Sequence, residues 1–150
     1  MAWELVLAIA ASSVEPAPER AAMRAPLWRG VREVTLACEV DPDAGLPAGL
    51  CAAALAEARR DAPYPVRPAD GSGGIATLAL RLTAGMRDGR AAVTLTGERA
   101  AAIDESQGAL VPRTTRADPG EPPERTIARA LDRVLPWRQE RRAARSHRRH

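Results

Sequence analysis

A chain of 150 residues with 13 prolines, no Phe, no Lys and four aromatic side chains (Trp3, Trp28, Tyr64 and Trp137) can support one small domain with a thin core of Leu, Val, Ile and Ala. Its net charge of +3 is unevenly placed: residues 138 to 150 hold six arginines against one acid, Glu140, a local +5 that leaves residues 1–137 at −2. This excludes a domain that is basic throughout and binds nucleic acid on its overall charge, and no apolar run approaches the roughly 20 residues of a membrane-spanning helix.

The chain opens on the apolar run Leu5 to Ala11, followed by the small residues Ser12 and Ser13. The pattern is that of a signal-peptide core and cleavage zone, although Glu4 stands where a positive charge is expected. An N-terminal helix or strand over Trp3 to Ala11, or a start at Met23, would account for the same residues. Pro16, Pro18 and Pro26 make the rest of residues 1–28 a disordered-like linker. The domain itself is expected over residues 29–136.

In Val34-Thr35-Leu36-Ala37-Cys38-Glu39-Val40 the apolar residues alternate with Thr35, Ala37 and Glu39, the period of a half-buried strand, so Cys38 faces inward. Asp41 to Gly45 is turn chemistry, and Pro47 suits the start of a helix. Over Leu50 to Arg60 the stripe Leu50, Cys51, Ala54, Leu55 and Ala58 follows helical spacing opposite Glu57 and Arg60. Cys51 therefore also faces the strand, and a Cys38 to Cys51 disulfide is expected, which points to an oxidising compartment. No CxxC or Cys/His spacing suggests structural zinc.

Residues 61–74 are too rich in Pro and Gly for helix. Gly71-Ser72-Gly73-Gly74 lacks the Lys-Ser/Thr and the following helix of a phosphate loop, so it reads as a turn. Ile75 to Arg87 and Arg90 to Glu98 flank Asp88-Gly89, the preferred pair of a two-residue hairpin. Pairing Arg87 with Arg90 puts Met86 opposite Ala91, Ala84 opposite Val93 and Leu82 opposite Leu95 on one face. The other face then holds Arg81 with Thr96, Thr83 with Thr94 and Ala79 with Glu98. A one-residue slip would expose every apolar side chain.

Residues 104–123 hold four prolines and read as a long loop. Pro123 then opens an amphipathic helix with the stripe Ile127, Leu131, Val134 and Leu135, ended by Pro136. Residues 137–150 form a basic tail. The expected fold is α+β in the order β-α-β-β-α, three strands with two helices on one sheet face. The N-terminal linker, the 104–123 loop and the tail are disordered-like.

Chemistry is sparse. Both histidines, His147 and His150, lie in the tail, and the pairs Asp41/Asp43 and Asp104/Glu105 fall in turns where Asp serves the backbone. Cys51 has no evident basic partner, so no catalytic group, metal site or cofactor is expected. Arg138, Arg141, Arg142, Arg145, Arg148 and Arg149 form a candidate polyanion-binding tail, though the absence of Lys and the wealth of Ala, Pro and Gly also suggest codon bias toward Arg. The reading that follows is a small non-catalytic binding or assembly protein, periplasmic, secreted or envelope-associated, with a protein partner at a sheet edge. The alternative is a cytoplasmic protein that docks on nucleic acid or another polyanion through the tail.

Overall fold

Alternating apolar residues do build the expected first strand, β1 (Glu33–Val40), and it joins four others in a five-stranded mixed sheet. The computed structural model describes residues 26–99 and 109–149; the expectations for Leu5 to Ala11, for residues 14–25 and for residues 100–108 lie outside them. In chain order β1 is followed by a short 3-10 turn (Pro42–Ala44), helix α1 (Leu50–Arg59), strands β2 (Val66–Pro68), β3 (Thr77–Arg87), β4 (Arg90–Arg99) and β5 (Ala109–Arg116), and helices α2 (Pro123–Asp132) and α3 (Pro136–His147). The sheet order is β2-β1-β3-β4-β5. β1 runs parallel to β2 and β3, whereas β3, β4 and β5 are antiparallel.

The hairpin adopts the register that alternation dictates. Arg87 pairs with Arg90, Ala84 with Val93, Leu82 with Leu95, and Ala79 with Glu98. Asp88 and Gly89 both have positive φ, 52° and 74°, as a type I′ loop requires. One face of the sheet presents Val34, Leu36, Leu78, Leu80, Leu82, Val93 and Leu95 to the buried stripes of α1 (Leu50, Ala54, Ala58) and α2 (Ile127, Ala130, Leu131). α1 packs on β1 and β2, α2 on β4 and β5, and the two helices touch each other. No helix of the described residues is long and apolar enough to cross a membrane.

The strand and helix count corrects the three-strand, two-helix expectation. β2 adds a three-residue parallel edge inside the proline-rich connection, held by the Arg59 Nε donating to the Val66 carbonyl at 2.8 Å. Pro68 is tolerated there because an edge strand leaves one backbone side unpaired. β5 occupies what reads as the centre of the 104–123 loop, paired to β4 from Ala92↔Arg116 to Glu98↔Ala109. Pro136 does not terminate a helix but sits in the first turn of α3, where its missing N–H costs nothing. At the other end, Pro26–Trp28 form a 3-10 turn rather than linker, with Leu27 and Trp28 buried. Arg99 clasps this turn, donating to the carbonyls of Leu27, Arg29 and Ile75.

β4 and β5 shift register between Leu95 and Gly97. A Cβ at Gly97 would lie 2.8 Å from Leu80 Cδ2 and 3.4 Å from Leu110 Cβ, so the strands close here only over a glycine. Gly97→Ala is expected to lower stability by about 1–3 kcal/mol, the range for overpacking a filled core. Urea unfolding measures it, and an unchanged midpoint would mean that Leu80 yields to the methyl group without loss.

Candidate functional site

Three features could carry function: the cysteine pair, the arginine-bearing helix α3 and the sheet face that none of the described helices covers. Cys38 and Cys51 are joined, with the Cα atoms 5.7 Å apart, so the bond ties β1 to the first turn of α1. Strand alternation and helical spacing point both sulfurs into one interface, and the bridge is the result. Among the described residues no free cysteine is present, so Cys51 is not available as a nucleophile.

Residues 137–150 depart furthest from expectation. They do not begin as a mobile tail but as a docked helix, because Trp137 and Arg138 are 4% and 6% exposed. The Trp137 ring meets Trp28 and Tyr64 edge-on, at centroid distances of 5.7 and 5.5 Å, and its Nε1 donates to the Ala58 carbonyl at 3.3 Å. Burial pushes the Tyr64 hydroxyl up to about 12. Arg138 is spent on internal contacts: Nε donates to Asp132 Oδ1 at 2.7 Å, and Nη1 to the Glu57 carbonyl and to Glu57 Oε2 at 2.8 and 2.9 Å. It bolts α3 to both other helices and cannot also serve an external polyanion. Arg141, 24% exposed in its side chain, pairs with Asp61. Arg142, Arg145, Arg148 and Arg149 are exposed. The six arginines expected to act together thus divide into two structural and four surface residues.

The uncovered sheet face is polar and built of small side chains. Ala37, Ala79, Thr96, Gly97 and Pro112 line a shallow depression of 770 Å³ between Arg81 and Glu98, and Thr94 and Thr114 share a hydrogen bond of 2.8 Å across β4 and β5. Toward β2 the face is walled by an ordered charge cluster. Arg67 bonds Glu33, Asp70 and Ser72, and Asp70 Oδ1 accepts the Ser72 N–H at 2.9 Å and its hydroxyl at 2.6 Å. These bonds, first from Ser72 and then from Arg67, hold the Asp70 carboxyl well below its usual range, and the Arg67 guanidinium does the same for Glu33. Gly71-Ser72-Gly73-Gly74 is therefore a loop shaped by its own acid and not an anion cradle. At the opposite edge β5 has no strand neighbour among the described residues, and Val111 is 75% exposed.

A second internal cluster fixes the turn between β5 and α2. Glu121 accepts from Arg129, from Thr126 and from the Asp118 N–H. Burial alone would push its pKa up, but these three donors outweigh it and hold the carboxyl below its ordinary range. Among the described residues no three His, Cys, Asp or Glu side chains gather as a metal-ligand group. Asp41 caps the turn after β1, its Oδ1 accepting the Asp43 N–H at 2.9 Å, which is the backbone role that turn chemistry assigns to it.

The sequence missed the Trp28, Tyr64 and Trp137 contact, the docking of Arg138 and the β5 edge. A signal existed for the first: three of the four aromatics of a chain short of aromatics lie in segments otherwise read as linker or tail. The chain matches no protein-family profile and no curated relative. Among solved structures it is similar to a leucine-to-methionine variant of the PelC dodecamer from Paraburkholderia phytofirmans, 23% identical over 74% of this chain and 88% of that one, with a TM-score of 0.43. It is also similar to another PelC dodecamer structure from the same organism, 21% identical over 72% and 89%, with a TM-score of 0.41. At this degree of likeness, function has to be argued from the chain's own residues.

Proposed function

We infer that this chain is a small extracytoplasmic protein, periplasmic or secreted, that acts by binding or assembly rather than by catalysis. The observation that carries the reading is the Cys38–Cys51 bridge. Disulfides form and persist in oxidising compartments and are uncommon in the reducing cytosol. The sheet face and the β5 edge that the described residues leave uncovered support the binding part, because an edge strand offers a row of backbone donors and acceptors to an incoming protein strand.

Thiol counting tests it. Protein taken from its native cells, alkylated at once under denaturing conditions, is expected to show no free thiol. Two free thiols would overturn the reading and return the chain to the cytoplasm, the setting of the nucleic-acid alternative.

A further inference from the structure

The arginines of α3 are not scattered around the helix. At about 100° per residue, Arg138, Arg141, Arg142 and Arg145 recur at i, i+3, i+4 and i+7 within an arc of about 100°, and Arg148 and Arg149 follow in the turn that ends the helix. Gln139, Ser146 and His147 lie outside this arc, and Glu140, the one acid of the helix, lies on the opposite side. Codon bias alone would not sort Arg onto one face. The row changes character along its length: Arg138 and Arg141 meet Glu57, Asp132 and Asp61 on the body, whereas Arg142, Arg145, Arg148 and Arg149 continue the row as exposed side chains. Because the first turn is locked by Trp137 and Arg138, the exposed part is presented at a fixed place on a molecule whose residues 1–137 carry −2.

The geometry points to a phosphate-binding row, Arg142, Arg145 and Arg149, that lays this end of the protein on an anionic lipid surface. Arg142 and Arg145 lie about 4.5 Å apart along the helix axis and Arg149 follows in the turn beyond it, so the row can meet more than one headgroup at once. Apart from Ala143 and Ala144 the exposed turns hold no apolar side chain, so contact is with headgroups and not by insertion into the acyl layer. Lipid is favoured over single-stranded nucleic acid because no aromatic group accompanies the row: Trp137 is buried in the body and cannot stack on a base. The preference for lipid over duplex DNA rests on the extracytoplasmic reading given above.

The test is flotation of the full chain with phosphatidylglycerol/phosphatidylcholine vesicles and with phosphatidylcholine vesicles, at low and raised salt. Binding is expected to the anionic vesicles only and to fall as salt rises. At about fivefold per basic residue near such a surface, the triple variant Arg142→Gln, Arg145→Gln, Arg149→Gln should bind about 100-fold more weakly. The matching triple Lys variant should keep binding within a few-fold, which separates lost charge from a frayed helix. Equal binding to neutral vesicles, full binding by the Gln variant, or loss of binding in the Lys variant would overturn the proposal. So would tighter binding of duplex DNA or a polyuronate through the same arginines. Vesicle binding and thiol count are separate readouts, so this proposal and the compartment reading can fail independently.

Discussion

Trp137→Ala is expected to lower the free energy of unfolding by about 3–5 kcal/mol, the range for truncating a buried aromatic side chain. The indole is 4% exposed, makes edge-to-face contacts with both Trp28 and Tyr64, and donates its Nε1–H to Ala58. Each aromatic pair adds about 0.5–1.5 kcal/mol beyond the area it buries. The void would open where the Pro26–Trp28 turn, Tyr64, the end of α1 and α3 meet. Urea unfolding of the variant gives the number, and far-UV dichroism should report loss of α3 helicity as well. Trp137→Phe should recover most of the stability because it keeps a ring between Trp28 and Tyr64. If Trp137→Ala left the midpoint unchanged, residues from 137 onward would be a free tail and the docked helix would be wrong.

Removing the Cys38–Cys51 bridge, by the pair Cys38→Ala and Cys51→Ala, is expected to cost about 3 kcal/mol. The sequence separation is 13, and the chain-entropy account gives that value for a loop near this size. For a domain of this length the loss corresponds to a Tm lower by about 10 °C. Against a typical net stability of about 5–15 kcal/mol it is a substantial share. The comparison is between oxidised wild type, reduced wild type and the double variant. Reduced wild type and the variant should melt together, and a reduced protein that melts with the oxidised one would show that the bridge adds nothing to folding.

How much of this could be read beforehand depended on whether local and distant signals agreed. The hairpin was legible to the residue because Asp88-Gly89 and the alternation on both sides specify the same register. The disulfide was legible because Cys38 and Cys51 sit in elements adjacent in sequence whose periods fix their facing. β5 was hidden: Pro112 interrupts it, prolines surround it, and its reason to be extended is pairing with β4. β2 has three residues, too few for any period to show. α3 reads as a charged, self-repelling tail until Glu57 and Asp132, from two other helices, are set against Arg138. That the sheet would leave free edges followed from topology, but which strands form them could be known only once β2 and β5 were in place.

Trp28 and Trp137 come from opposite ends of the described chain, yet their rings are in contact. The hydrophobic interior is therefore completed only when Trp137 reaches Trp28, so its last contact closes after the sheet strands and the two helices that cover them have been made.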